Sequence, residues 1–367
     1  MSKLNQLRSK YSSKLGIFAI ILVATELSSV AMAMEVVIVG GGPVGLASAT
    51  ATHKAGHNVT VVEERDYNRE QVLFMNPASC SYLETLGLEN ACENLYVFGL
   101  NKQSNGQTSL IHTNKLQNKL KDLATKNGVT FIHAKFEGFS QGNRKAIQTK
   151  TKDGEEIEIP YDILVGADGK NSAVRKSLNI EPEISKTAHA RAALYRNTAN
   201  QYSDNTVELN VISENNLPRD IYMSVTSAPP SADFQKAIFT QSKTVIEEAN
   251  WKMMRKNQEN AEDKLFLDFT FEVALSNTPT NVNIQKVVLL VGDATGTASY
   301  IFGNGLNTGF SEVVELEKVF QSINDQTPPN SIASILSTYD HEVKQLVEKM
   351  QERAKNDKFD YWNSSMK

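Results

Sequence analysis

The chain of 367 residues is short of several things, and each shortage removes a class of protein. Its two cysteines, Cys80 and Cys92, are spaced like neither a zinc knuckle nor a C-x-x-C redox pair, so both read as small buried apolar side chains. Of the six histidines, His53 and His57 stand at i,i+4, but Gly56 ends the helix between them and no metal site is expected. Lysine and arginine nowhere form a block and the formal net charge is −4, which argues against nucleic acid as a partner. The most apolar run, Leu15 to Ala24, spans about ten residues where a membrane helix needs about 20. Internal repeats and low-complexity tracts are missing too. The length suits two subdomains around a sizeable core.

What the chain does have is three separated stretches rich in glycine: VVIVGGGPVGLASA (Val36 to Ala49), YDILVGADGKNSAVRKSL (Tyr161 to Leu178) and VVLLVGDATGTASYIFGNGLNTGF (Val287 to Phe310). In the first, Val36 to Val39 is a buried-strand run that stops at Gly40, Gly42 and Gly45, a G-x-G-x-x-G turn. Gly40 permits the tight turn, Gly42 lets backbone approach a pyrophosphate, and Gly45 lets the next helix pack on the strand. The phosphates would then meet free N–H groups and a favourable dipole at the start of that helix, Leu46 to about Lys54. A second strand, Val59 to Val62, delivers Glu63 about eighteen residues past Gly45, where a carboxylate can grip a ribose hydroxyl. The other two stretches repeat a theme. Strand Ile163 to Val165 leads to Gly166, Asp168 and Gly169, then Ser172 and Arg175; strand Val287 to Val291 leads to Gly292-Asp293 and a loop with Gly303, Gly305, Asn307 and Gly309. A carboxylate at a strand end beside helix-start N–H groups suits a polyhydroxylated, phosphorylated ligand.

In this order the three stretches resemble the FAD-dependent monooxygenases typified by p-hydroxybenzoate hydroxylase and kynurenine monooxygenase, over the chain from Met34 to about Met350. The resemblance implies that Gly40, Gly42, Gly45 and Glu63 hold the ADP half of FAD. It implies that Asp293 binds the ribitol and pyrophosphate region, and that the backbone from Gly303 through Gly305 to Asn307 lies near the flavin ring. Asp168 and Gly169 match the family's Asp-Gly motif, which serves both FAD and the nicotinamide cofactor. Arg69-Glu70-Gln71-Val72-Leu73, followed by Leu83-Glu84-Thr85-Leu86-Gly87, is similar to the flavin-side loop and helix of the group, especially in the MICAL monooxygenases. Arg69 is therefore the candidate phosphate contact. Tyr300 and Phe302 flank the loop at the ring and become the candidate substrate-pocket residues, while no catalytic acid or base is assigned. The chain also departs from the pattern. Gly296 and Tyr300 stand where many members have His and Pro, Asn304 where Gln is common, and Thr113 where an arginine precedes a helix leucine. Loss of that arginine removes a charge-assisted contact to phosphate.

The fold class expected is α/β: a Rossmann-like FAD-binding domain with an inserted, mostly antiparallel β-sheet substrate domain. The FAD-binding domain takes residues 34–181 and 285–326, the substrate sheet 182–284, and a C-terminal helix 327–367. Leu116 to Asn127 reads as a helix, Thr130 to Ala134 as a strand, residues 144–160 as a hairpin turning at Asp153-Gly154, and the polar stretch Lys243 to Lys264 as a surface helix. Residues 1–33 carry Lys3, Arg8, Lys10 and Lys14 against Glu26, then the apolar run, then Ala31-Met32-Ala33. That is the layout of a signal or anchor segment, implying export or membrane association. The other reading takes Met34 as the true start of a cytoplasmic protein.

The reaction expected from the resemblance is hydroxylation of an aromatic or otherwise electron-rich small molecule, with NAD(P)H and O2 as co-substrates. Only one G-x-G-x-x-G occurs, which favours transient use of the nicotinamide over a second resident dinucleotide. Two alternatives stay open: a membrane-associated FAD-dependent reductase or dehydrogenase of a lipid-like substrate, and a flavin-binding protein without turnover.

Overall fold

The computed structural model describes residues 33–69, 72–91, 96–99, 109–142, 145–197, 206–212, 220–226, 236–240, 261–276, 279–283, 286–297 and 303–356. Three sheets organise them, with strands numbered in chain order. The first contains β1 (Glu35–Val39), β2 (Asn58–Glu63), β6 (Thr130–Phe139), β7 (Ala146–Thr151), β8 (Glu156–Pro160), β9 (Ile163–Gly166), β15 (Thr280–Asn283) and β16 (Lys286–Leu290). Its spatial order is β15-β16-β9-β1-β2-β6-β7-β8. From β16 to β6 the pairing is parallel, and the two margins are antiparallel.

A parallel sheet is covered on both faces, so its strands need no polar alternation. β1 shows why an unbroken apolar run is required. Val36 and Ile38 enter one core, while Val37 and Val39 enter the other, and all four are buried. Strands β9 and β16 divide in the same way, with Ile163 and Val165 opposite Leu164, and Leu289 opposite Val288 and Leu290. Burying each such side chain contributes about 1.5–3 kcal/mol.

Five helices build the first core: α1 (Pro43–Lys54), α2 (Pro77–Thr85), α3 (Thr113–Lys126), α5 (Asn304–Ser322) and α6 (Pro329–Asn356). Helix α1 is buried from Leu46 through Thr52, and its side chains after Leu46 are alanine, serine and threonine. Small residues let α3 and α5 pack against it on either side. It ends as expected, with Gly56 in the left-handed region (φ +98°). Helix α3 buries Leu116, Leu120 and Ala124 on one stripe, and Pro329 starts α6 after the break at Pro328. On the other face of the sheet, the short helix α4 (Ala173–Ser177) adds Val174 to the second core beside Phe136 and Ile147.

The second sheet is antiparallel: β10 (Pro182–Asn197), β11 (Thr206–Ile212), β12 (Asp220–Thr226), β13 (Lys236–Thr240), β14 (Ala261–Ser276) and β17 (Gly296–Thr297), in the order β11-β12-β13-β10-β14-β17. The long strands β10 and β14 pair along their whole length. The expected α/β class with an inserted antiparallel sheet is therefore what the chain adopts. Strand β15 falls inside the range read as substrate sheet yet forms the margin of the first sheet, and β17 from the third glycine-rich stretch joins the second. A third, smaller sheet has β3 (Val72–Met75), β4 (Tyr96–Gly99) and β5 (Ser109–His112), in the order β3-β5-β4.

One reading needs correction, and another meets the described residues only at its end. The polar stretch Lys243 to Lys264 was expected to be helical. Residues 241–260 lie outside the described set, but Ala261 to Lys264 open strand β14, where Glu262 and Asp263 register with Arg196 and Tyr195 of β10. Pairing along a long neighbour overrides local polarity. Cys80 is buried, as expected, but it is disulfide-bonded rather than a free apolar side chain. The hairpin turn at Asp153-Gly154 is as read, with Gly154 at φ +87° between β7 and β8.

Helix α6 is tied to the parallel sheet by a fully buried tyrosine whose hydroxyl donates to the Leu290 carbonyl at 2.7 Å. Tyr339→Phe is expected to lower unfolding free energy by about 1–2 kcal/mol, since the carbonyl loses its side-chain partner and stays buried. Urea titration would register this as a lower midpoint with an unchanged slope.

Candidate functional site

The first glycine turn is shaped by what surrounds it. Gly40 has φ +110°, and a Cβ there would lie 2.4 Å from the Ala167 carbonyl oxygen and 2.8 Å from the Asp168 Cα. Gly45 would bring a Cβ to 2.0 Å from the Gly40 carbonyl oxygen. Both glycines are demanded by neighbouring backbone. Gly42 differs: its φ is −66°, and a Cβ would meet nothing within 4 Å among the described residues. It is the N-cap of α1, and no side chain caps that helix. Open space thus lies before a helix N-terminus with unsatisfied N–H groups, a cradle that suits phosphate.

Glu63 sits at the tip of β2 beside this turn, as its spacing predicts. Its Oε2 accepts from the Gly41 N–H at 2.6 Å and its Oε1 from the Arg65 N–H at 2.8 Å. Tyr67 closes over the same turn, since a Cβ on Gly41 would lie 2.7 Å from its hydroxyl. Burial, and then the Glu63 charge, push the Tyr67 phenol up to about 12. The Lys121 ammonium lies 4.3 Å from the centre of its ring.

In the second stretch, Ser172 caps α4 and Asp168 accepts from the first N–H groups of that helix. The Asp168 Oδ2 accepts from Ala173 at 2.6 Å and Val174 at 3.2 Å. Its Oδ1 is buried without a hydrogen-bond partner among the described residues. Burial raises this carboxyl above the usual range, against the hydrogen bonds from Ser172 and the backbone. Gly169 follows at φ +83° with open space at its Cβ position. Arg175 is buried, and its two terminal nitrogens donate at 2.8 Å to the carbonyls of Lys170 and Ala294, bracing the second stretch against the third.

The third stretch meets the first through Val44. A Cβ on Gly309 would lie 2.5 Å from Val44 Cγ2, and one on Gly292, at φ +66°, 3.2 Å from Val44 Cγ1. Gly305 leaves room for Asp293, whose Oδ1 would be 2.9 Å from a Cβ there. Asp293 keeps solvent contact, yet crowding protein raises its carboxyl above the usual range. Desolvation is the main cause, and the charges of Arg69 and Lys170 oppose it. Burial lowers the Arg69 guanidinium first, then repulsion by Arg65, while Glu63 and Asp293 pull the other way. Arg69, Lys170 and Asp293 therefore come together from three separate parts of the chain.

Gly303 is the left-handed N-cap of α5 at φ +64°. The Asn307 side chain braces rather than opens the site: Oδ1 accepts from the Asn76 N–H at 2.9 Å and the Ser79 hydroxyl at 2.7 Å, and Nδ2 donates to the Gly303 carbonyl. Tyr300 and Phe302, the pocket candidates, lie outside the described residues. The Gly296 departure has a steric basis. A Cβ there would lie 2.3 Å from Val347 Cγ1 of α6 and 3.1 Å from the Ala274 carbonyl, which leaves no room for histidine.

Sequence reading missed Glu312. This wholly buried carboxyl accepts from the Gly292 N–H at 2.7 Å and so holds the turn that presents Asp293. Desolvation drives it well above the ordinary glutamate range. A signal was present, because Glu312 lies three residues after Gly309 and four before Leu316 on the inward face of α5. His57 has no nitrogen to spare for a metal: Nδ1 faces the Met34 N–H at 3.3 Å and Nε2 the Phe320 carbonyl at 2.8 Å.

An uncapped helix start over open space, a ribose-height carboxylate and an orphaned buried carboxylate oxygen fit a dinucleotide carrying a diphosphate. Together with Asp293 beside Arg69 and Lys170 they fit an FAD-binding flavoprotein. Over residues 33–354 the chain matches the family described as FAD binding domain, and it belongs to that family of FAD-dependent aromatic hydroxylases and monooxygenases. It is 24% identical over 356 residues to a kynurenine 3-monooxygenase of Christiangramia forsetii, covering 82% of this chain and 78% of that one. Among solved structures it is similar in fold to the OxyS anhydrotetracycline hydroxylase from Streptomyces rimosus, with a TM-score of 0.67 and 19% identity over 88% of this chain and 68% of that one. It is also similar to aklavinone-11 hydroxylase, solved with FAD and aklavinone, with a TM-score of 0.66 and 17% identity over 88% and 68%.

Gly42 and Gly40 make opposite predictions. Gly42→Ala meets no protein atom and has an ordinary φ, so it should melt like the parent yet bind FAD at least about tenfold more weakly, its methyl filling the cradle. Gly40→Ala should fail to give stable protein at all. Melting curves and FAD titration by flavin fluorescence check both.

Proposed function

We propose that this chain is an NAD(P)H- and O2-dependent FAD monooxygenase that hydroxylates an aromatic or otherwise electron-rich, largely apolar small molecule. The observation that carries the reading is the open cradle at Gly42, completed by Glu63, Asp168 and Asp293 from the other segments. The chain has one such glycine turn, which supports a nicotinamide that visits rather than resides. Bound FAD would supply the redox chemistry: NAD(P)H provides two electrons and O2 both oxygen atoms, one going to the substrate and the other to water. The protein's part is to hold and orient: the α1 N-terminus and Arg69 toward phosphate, Glu63 toward ribose hydroxyls, Asp293 toward the ribitol. The antiparallel sheet covers the substrate and keeps water away. The names of the relatives support an aromatic substrate class.

The full chain, loaded with FAD, should lose its visible flavin absorbance on anaerobic addition of NADPH or NADH. In air it should consume oxygen faster with members of an aromatic panel. A bound flavin that neither nicotinamide reduces would overturn the monooxygenase reading, and stimulation by polyprenyl lipids alone would move the chain to the reductases.

We also infer that residues 1–33 direct the chain out of the cytoplasm. Their charged, apolar, small-residue layout supports this, as does the disulfide-bonded Cys80, because disulfides persist in oxidising compartments. Among the described residues no helix is long and apolar enough to cross a membrane. Cell fractionation of the full chain should recover it outside the cytosol, and quantitative recovery in the cytosolic fraction contradicts the inference.

A further inference from the structure

Two side-chain oxygens at the start of α3 are buried with no hydrogen-bond partner among the described residues: Oγ1 of Thr113, at 1% exposure, and Oε1 of Gln117, at 4%. The two residues stand at i,i+4 and so share one face of the helix. The Gln117 Nε2 donates to the Gly41 carbonyl at 3.1 Å. A carbonyl only accepts, so the amide cannot be turned around, and its oxygen is left as the orphan. One residue past Thr113, the Asn114 N–H donates to the Arg69 carbonyl at 2.9 Å. The orphaned face is therefore pinned between the first glycine turn and the candidate phosphate-contact arginine.

Leaving a buried polar group unsatisfied costs stability, and folded proteins carry few of them. Two on one helix face, beside the open cradle of Gly42, are a cost that a ligand can remove. Thr113 is also the position at which the resemblance places an arginine. A hydroxyl can donate to an anionic oxygen, and an amide oxygen can accept from a hydroxyl; FAD carries both on its diphosphate and its ribose and ribitol chains.

We propose that Thr113 and Gln117 form a neutral polar subsite for FAD. The Thr113 hydroxyl donates to a cofactor oxygen and the Gln117 Oε1 accepts from a cofactor hydroxyl. Positive charge at this end of the cradle is then left to Arg69, whose backbone is already tied to α3. The proposal rests on FAD binding, and the experiment separates the two.

The apoprotein of the full chain, of Thr113→Val and of Thr113→Ser is titrated with FAD by fluorescence and melted without cofactor. Valine keeps the shape and removes the orphan. Thr113→Val should melt at or above the parent's temperature while its Kd for FAD rises about tenfold or more, since a hydrogen bond to a charged group is worth about 1.5–3 kcal/mol. Thr113→Ser should restore the affinity. A merely structural threonine would give the reverse, a lower melting temperature with unchanged Kd, and overturn the proposal. If the parent itself binds no FAD, the cofactor assignment fails first and the subsite with it. Gln117→Leu should also weaken FAD binding; an unchanged Kd there overturns the role given to its oxygen.

Discussion

Everything in the site depends on one close approach of backbone to backbone. The carbonyl of Ala167 occupies the place that a side chain on residue 40 would need, and the carbonyl of Gly40 occupies the place that a side chain on residue 45 would need. Strands β1 and β9 can lie side by side with their following turns in contact only because both positions are glycine. That contact brings Asp168 to the lip of the turn and sets the direction of α1. Val44, one residue before Gly45, then becomes the surface on which Gly292 and Gly309 of the third stretch rest. Three segments far apart in the chain thus share one meeting point, made possible by the side chains that their glycines lack.

Charge is laid around that meeting point from separate parts of the chain. Asp293 feels both Arg69 and Lys170, and Arg69 feels both Glu63 and Asp293. The partial positive charge of the uncapped α1 N-terminus adds to the two cations. A ligand with an anionic centre and hydroxylated arms matches such a mixture better than a simple anion does. The neutral oxygens of Thr113 and Gln117 continue the same pattern on the α3 side.

Behind the site stands a layer of braces. Arg175 joins two carbonyls from different stretches, Glu312 holds the Gly292 N–H, and Tyr339 ties α6 to β16. The replacement of a family histidine by Gly296 belongs to this layer. With no side chain there, Val347 packs straight onto the strand that follows Asp293. The C-terminal helix therefore backs the flavin motif through a contact that a larger residue would forbid.

Much of this was legible from residues alone. The β1 run, the glycine turn, Glu63 at the end of β2, the Asp153-Gly154 hairpin and the break at Pro328-Pro329 are local, and local chemistry writes local signals: steric freedom at glycine, a missing N–H at proline, apolar continuity in a covered strand. Ala261 to Lys264, the end of a polar segment, misled because their strand state is imposed by β10, about 65 residues earlier in the chain, through pairing that no periodicity announces. The same holds for the braces. Arg175 and Ala294 are 119 residues apart, and Gln117 and Gly41 are 76 apart. The sequence by itself determined the class of ligand, because a phosphate cradle needs particular residues at particular short spacings. Only the tertiary structure decided which buried oxygens are left unpaired, because satisfaction of a hydrogen bond belongs to two partners and the chain order names one at a time.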